Sequence, residues 1–345
     1  MKVLVTGGTG FVGSHVVRHL LSHEHEVRLF VRNREKAEKL FAAHGLLISD
    51  IVVGDLSDKY FVSKALIDCN AVVHAAAVTP MQGASNEELF KTNVKGVKAV
   101  MDAACEQHIE KIIYVSSVTA IFQPNAVNLN ADSPIISSRH PYGQSKAAAE
   151  TYIRQLQLDG KPIKSVYPGG VIGPDDPGRS ATVMSLWYRI THGFKITSGG
   201  TQQIDVRDLA AIIVSLLELK EGKGGRYITA GHYLTWPKLA ALLEDIMGRP
   251  LNKQNISGWF LRLVGVYYDA KRVFVKIDSP ISAETMRYAT QWPRIENDPV
   301  IKQSGMTLRS PRQTYTDTLR WMLSIGLLKS SDMPALVKVD DSVRR

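Results

Sequence analysis

Val3-Leu4-Val5-Thr6-Gly7-Gly8-Thr9-Gly10-Phe11-Val12-Gly13 is the stretch that decides the fold. A short apolar run ends at Thr6-Gly7, and apolar residues at helical spacing follow from Phe11 to His23. Strand, glycine loop and helix in that order form the setting in which a G-x-G-x-x-G loop holds a dinucleotide pyrophosphate. Gly7 and Gly8 allow the tight turn, Gly10 lets backbone approach the phosphates, and Gly13 permits close helix–sheet packing. The free N–H groups where the helix starts, at Phe11 and Val12, add a positive dipole end for the anion.

Outward from that loop, strands and helices alternate. Strands are expected at Val27–Val31, Ile51–Val53, Ala71–His74, Lys111–Val115 and Ile163–Tyr167, and helices at Glu35–His44, Lys59–Ile67, Asn86–Gln107 and Tyr142–Gln157. This rhythm predicts an α/β fold, a Rossmann-type doubly wound parallel sheet covered on both faces. After Gly173 the rhythm breaks, with a helix at Ala181–Thr191, an αβ return at Asp208–Leu219 and Arg226–Thr229, and mainly helix from Trp236 onward. The expected organisation is a nucleotide-binding domain of residues 1–172 and 203–230, interleaved with a smaller, mainly helical substrate-binding region, 173–202 and 231–328. Residues 329–345 form a tail, polar and frayed from Lys338 to Arg345.

Composition narrows the function classes. The 345 residues, 44% hydrophobic and 22% charged, exclude a disordered or collagen-like chain. Cys69 and Cys105 lie in apolar stretches and give no disulfide framework. Forty-two basic residues against 33 acidic give a net charge of +9, but the excess is scattered and forms no nucleic-acid-reading stripe. No apolar run approaches the ~18 residues of a membrane span. A first strand starting at Lys2 leaves no room for a signal peptide, so a cytoplasmic protein is expected. The aromatic run Ile256–Tyr268 reads as a lid or a subunit contact, with a membrane-surface helix as the lesser alternative. His15, His19 and His23 recur every fourth residue, but no acidic or Cys ligand accompanies them and no metal is expected.

The end of the second strand chooses the cofactor. Phe30-Val31-Arg32-Asn33-Arg34 carries no acid to hold ribose hydroxyls, and Lys36 follows closely. A guanidinium suits a 2′-phosphate, so NADP(H) is favoured over NAD(H), with Arg32 and Lys36 as binding residues and Arg34 able to substitute.

A second constellation carries proton chemistry. Tyr142 and Lys146 lie four residues apart on a helix opened by Pro141, so they share one face. An ammonium nearby favours the tyrosinate and lowers the phenol pKa. Ser116 and Ser117 follow the Lys111–Val115 strand at the sheet edge where ligands collect, and Asn93 can support the same cluster.

Together these pieces resemble the extended short-chain dehydrogenase/reductase superfamily, with its NAD-dependent epimerase/dehydratase members. The matching residues are the Thr6–Gly13 loop, Gly54-Asp55-Leu56, His74-Ala75-Ala76-Ala77, Asn93, Ser116-Ser117, Tyr142 with Lys146, Pro168-Gly169-Gly170-Val171 and Asp205–Asp208. Ser310-Pro311-Arg312 before Leu319-Arg320-Trp321 looks like the tail of dihydroflavonol-reductase-like members. The resemblance implies Tyr142 as general acid/base, Lys146 lowering its pKa and holding the nicotinamide ribose, and Ser117 binding the substrate oxygen, with Ser116 as the alternative. It further implies Asp55 and Leu56 beside the adenine, Ala75, Ala76 and Ala77 along the cofactor, and Pro168, Gly169 and Val171 at the nicotinamide. A homodimer is the family-level expectation.

Departures point to the substrate. Ala120-Ile121-Phe122-Gln123 stands where many nucleotide-sugar members carry Tyr-Gly, and Gly170 and Thr201 stand where they tend to carry Asn and Arg. Met81, Phe122, Trp187, Trp259 and Phe260 are instead candidates for an apolar pocket. The expected function is an NADP(H)-dependent oxidoreductase that reduces a carbonyl, or oxidises the alcohol, of an apolar or aromatic small molecule. The alternatives are a nucleotide-sugar epimerase or dehydratase with tightly held cofactor, and a non-enzymatic NADPH-responsive regulator. The intact Ser117, Tyr142 and Lys146 count against the regulator.

Overall fold

The computed structural model describes residues 1–79, 85–126, 129–136, 138, 141–220, 223–275, 277, 279, 281–297, 301 and 306–336. Its centre is a seven-stranded sheet: β1 (Lys2–Thr6), β2 (Glu26–Val31), β3 (Ile51–Val53), β4 (Ala71–His74), β5 (Lys111–Val115), β6 (Ile163–Pro168) and, with the further strands counted in chain order, β10 (Gly225–Thr229). The order β10-β6-β5-β4-β1-β2-β3, with every pair parallel, reverses direction between β1 and β4. At such a switch point two loops leave the carboxyl edge in opposite directions and open a crevice for a ligand. Here those loops are Gly7–Gly10 after β1 and Ala75–Ala77 after β4.

Because the sheet is buried on both faces, its strands are apolar runs and not alternating patterns. On one face, α1 (Phe11–Ser22), α2 (Arg34–Ala42) and α8 (Val206–Glu218) bury Val16, Val17, Leu20, Phe41, Leu209 and Ile213 against Val3, Val5 and Leu29. On the other, α3 (Lys59–Leu66), α5 (Val97–Glu106) and α6 (Pro141–Leu158) bury Val62, Val100, Met101 and Ile153 against Leu4, Val72 and Ile112. Cys69 lies in this second core. The helix expected over Asn86–Gln107 runs as α4 (Asn86–Phe90), a π-helical turn (Lys91–Gly96) and α5.

The remaining chain builds a third core. It comprises α7 (Ala181–His192), α9 (Trp236–Met247) and α12 (Pro311–Ser324) around Leu186, Phe194, Trp236, Leu239, Leu243, Tyr315 and Leu319. Two small sheets accompany these helices. One orders β11 (His232–Thr235), β9 (Gly200–Asp205) and β7 (Gly170–Ile172), and the other pairs β12 (Lys253–Asn255) with β8 (Phe194–Ile196). β9 crosses the boundary expected between residues 202 and 203.

Finally α10 (Gly258–Arg272) lies against α11 (Ala283–Thr290), so closely that a Cβ on Gly265 would meet the Ser282 carbonyl oxygen at 2.5 Å. The outer face of α10 is open, with Trp259, Phe260, Leu263, Val266 and Tyr267 all more than half exposed. Trp259 and Phe260 are not among the residues that line the cavity described below. Among the described residues no helix is long and apolar enough to cross a membrane. The expected frayed end Lys338–Arg345 lies outside the described residues.

Candidate active site

The glycine loop is shaped by contacts that only glycine permits. Gly7 sits at φ +73°, and a Cβ there would meet Ala76 N at 2.5 Å. A Cβ on Gly13 would overlap the Gly7 carbonyl. The loop is thus clamped between α1 and the 75–76 backbone, while a Cβ on Gly10 would meet only Gly7 O, at 3.2 Å. Gly10 caps α1 with no side chain bonded to the helix start, which leaves Phe11 and Val12 at an N-terminus that suits an anion. Behind the loop, buried Thr6 Oγ1 lies 2.8 Å from His74 Nδ1, and burial plus the nearby Lys146 charge lower the His74 pKa to about 3.

At the tip of β2, Arg32 is exposed and makes no hydrogen bond or ion pair among the described residues. Arg34 is committed: it donates to the Ile51 carbonyl and lies 3.6 Å from Glu38. Asn33 caps α2 by accepting from Lys36 N at 2.8 Å, and the Lys36 side chain extends outward, exposed. Sequence reading left Arg32, Arg34 and Lys36 as alternatives; the geometry leaves the first and third available. Asp55 follows β3, accepts from Ser57 N at 2.9 Å and pairs with Lys91 at 2.7 Å, which lowers its pKa to about 2. Leu56 packs beside Gly96.

Asn93 lies in the π-turn, 2% exposed. Its Oδ1 accepts from Val78 N at 2.8 Å, while its Nδ2 donates to Val78 O at 2.9 Å and to Ser145 Oγ at 3.1 Å. It ties the strand leaving β4 to the first turn of α6, where Tyr142 stands. π-turns recur at functional sites because they re-aim one side chain inside a helix.

The two serines differ. Ser116 donates to Glu150 at 2.6 Å, and Glu150, fully buried, also accepts from Tyr167 OH and from Arg154 Nε at 3.3 Å. Ser117, partly exposed, accepts from Thr119 N at 3.2 Å and Thr119 Oγ1 at 2.9 Å, and its own hydroxyl proton meets no acceptor among the described residues.

Tyr142 and Lys146 are correctly placed on α6, but the expected lowering of the phenol is not seen. Burial pushes the Tyr142 pKa up to about 12. Lys146 is buried, aims Nζ at the Val115 carbonyl at 3.5 Å and lies 5.5 Å over the Tyr114 ring. Desolvation lowers its pKa to about 8, against an upward pull from Glu150. Desolvation sets the direction of both shifts, and neither group stands among the causes of the other's.

Beyond Ser117 lies a cavity of about 480 Å³. Thr119, Leu186, Arg189, Trp236, Leu239, Tyr288, Trp292 and Tyr315 are among the residues that line it. Gly170, Thr201, Gln202 and Gln203 contribute from β7 and β9. Phe122 is not on this wall: it is buried behind it, 4.4 Å from the Tyr288 ring and 5.2 Å from Trp292. Trp187 belongs to the third core, where its Nε1 donates to Leu327 O at 2.9 Å. Met81 lies outside the described residues. Tyr288 and Trp292 escaped sequence reading because they stand far along the chain in a segment without a motif, and Tyr315 because it falls between the matched residues of the Ser310–Trp321 tail. Pro168, Gly169 and Val171 run from β6 into β7, and a Cβ on Gly169 would meet Ala230 O at 2.6 Å.

Residues 3–231 match the NAD dependent epimerase/dehydratase family. The chain belongs to that family. It is 30% identical over 337 residues to a Synechocystis protein provisionally named a dihydroflavonol 4-reductase, covering 94% of this chain and 96% of that one. Sterol demethylase protein B of Methylococcus capsulatus is 25% identical over 336 residues, covering 95% and 100%. The crystal structure of gox2253 superposes with a TM-score of 0.80 at 28% identity, covering 95% of this chain and 99% of that one. The protein is accordingly an NAD(P)-dependent oxidoreductase of the extended short-chain type. The glycine cradle fits such a dinucleotide: a tight loop closed to a Cβ at Gly7 and Gly13, an open helix N-terminus and the switch-point crevice.

Proposed function

We propose that the protein is an NADP(H)-dependent reductase of a carbonyl on an apolar or aromatic small molecule, or the matching alcohol dehydrogenase. The observation that carries this reading is the mainly apolar cavity lined in part by Thr119, whose hydroxyl donates to Ser117 Oγ at 2.9 Å. Relatives named for a dihydroflavonol and for a sterol support a substrate of that polarity.

The bound dinucleotide would supply or accept a hydride. Gly10, Phe11 and Val12 would hold its pyrophosphate through backbone in the turn that Gly7 and Gly13 shape, and Arg32 with Lys36 would meet the 2′-phosphate. Ser117 donates its hydroxyl proton in a hydrogen bond to the substrate carbonyl oxygen, a role for which Ser116, bound to Glu150, is not free. Tyr142 gives its phenolic proton to that oxygen as negative charge develops there. Lys146, kept cationic by Glu150, favours the tyrosinate left behind. Asn93 holds the Val78 backbone and the first turn of α6 in register.

The test is consumption of NADPH with a panel of flavonoid, steroid and simple aryl ketones. Turnover with NADPH well above that with NADH, abolished for NADPH alone by Arg32→Ala with Lys36→Ala, is expected. No consumption across the panel would overturn the reading.

A further inference from the structure

Arg189 stands on the third turn of α7, on the cavity wall. Its guanidinium lies 3.9 Å from the Trp236 ring centroid and 5.4 Å from that of Phe194, and Nη1 donates to Lys195 O at 3.4 Å. It meets no carboxylate among the described residues. Several arginines of the same part of the chain are paired, Arg207 with Asp205 and Asp317, Arg249 with Asp332, Arg272 with Asp269 and Arg309 with Asp208, while Arg262 donates to Thr290 and, unlike Arg189, does not line the cavity. Arg189 is also enclosed enough that burial lowers its pKa, to about 10. A half-buried guanidinium with one long hydrogen bond and two aromatic faces keeps most of its N–H donors free of protein acceptors among the described residues.

Its neighbours do not supply the missing acceptor. Tyr315 gives its hydroxyl proton to Gln203 and is held neutral by burial, and Leu186, Leu239 and Trp236 are apolar. Thr119, beside Ser117, and Arg189, among the third-core helices, line the same cavity. A substrate whose carbonyl is at Ser117 therefore extends toward a cation.

We propose that Arg189 is a substrate-binding residue that receives a carboxylate carried by the apolar substrate away from its reacting carbonyl. The inference rests on the reductase reading for which end of the substrate reacts, but not for the presence of the anion site. A planar carboxylate is the complement of a guanidinium fork, and stacking on Trp236 fixes the plane of that fork. Neutral ketones of the same shape are expected to bind through apolar contacts alone.

The test is calorimetric titration of the NADPH-loaded full chain with 6-acetyl-2-naphthoate and with its methyl ester. The acid is expected to bind at least tenfold more tightly than the ester at neutral pH. Arg189→Met and Arg189→Gln should bring the two within twofold while leaving NADPH affinity unchanged and the protein cooperatively folded. Equal binding of acid and ester by the unmodified protein overturns the proposal without needing any variant, as does a preference that survives both substitutions. Arg189-dependent binding of the acid, with no NADPH oxidation by it or by any ketone of the panel, would sustain this inference and sink the reductase reading. Turnover of neutral ketones with no preference for the acid would do the reverse.

Discussion

At the scale of single residues, the site is a contest between burial and charge. Tyr142 is pushed up and Lys146 down, each by loss of water, and only Glu150 opposes the shift of the lysine. Tyr142→Phe should lower kcat by at least about 10²-fold, the scale of a lost general acid, while NADPH affinity is kept. Lys146 supports the phenol only while protonated, so activity should fall as pH rises through about 8. Glu150→Gln removes the upward pull, and the alkaline limb of the kcat profile should move to lower pH; an unmoved limb would contradict the coupling. His15 and His74 add a stability signature, since both are held neutral with pKa values near 3 against an ordinary 6.5. Between those values the unfolded chain binds protons that the native one refuses, so stability must drop as pH falls. Each histidine contributes a slope of about 1.4 kcal/mol per pH unit well below pH 6.5. Urea unfolding at pH 7.5 and 5.5 measures this, and a flat profile would refute it.

At the scale of elements, the glycine loop, its flanking strand and helix, and most sheet strands were legible because each is fixed by local rules. The Cβ that would overlap at Gly13 is the physical content of that motif. Gly13→Ala should abolish dinucleotide binding and lower the melting temperature, as followed by fluorescence of bound NADPH and by thermal unfolding. The π-turn was not legible: its six residues read as ordinary helix, and only the three hydrogen bonds of Asn93 show what it does. Asn93→Ala would strand the buried Val78 amide and carbonyl, at a cost of about 1–3 kcal/mol for each group left unpaired. Urea unfolding of the variant checks that figure. β7, β8 and β9 were missed for a related reason. They are short, or polar where Gln202-Gln203 runs along β9, and pair with partners distant in sequence.

At the scale of the whole molecule, the chain leaves the nucleotide-binding sheet after β6, builds part of the substrate cavity, and returns through α8 and β10 before leaving again. Such threading could be read from the Asp205–Asp208 segment, but the cavity wall could not, because Arg189, Tyr288, Trp292 and Tyr315 meet only in the folded chain. The return also makes the first domain dependent on later sequence. α8 buries Leu209, Ile213 and Leu217 completely. A fragment of residues 1–172 lacks that cover and should bind a hydrophobic dye and fail to unfold cooperatively; a cooperative, dye-free fragment would contradict this account. The central claim, that Tyr142 passes a proton to a carbonyl held at Ser117 beside a pyridine nucleotide, is tested most directly by one comparison. NADPH oxidation and alcohol formation are followed together with an aryl or steroid ketone, for the unmodified protein and for Tyr142→Phe. Matched, one-to-one conversion that collapses in the variant is the predicted result, whereas conversion at an undiminished rate by Tyr142→Phe would contradict it.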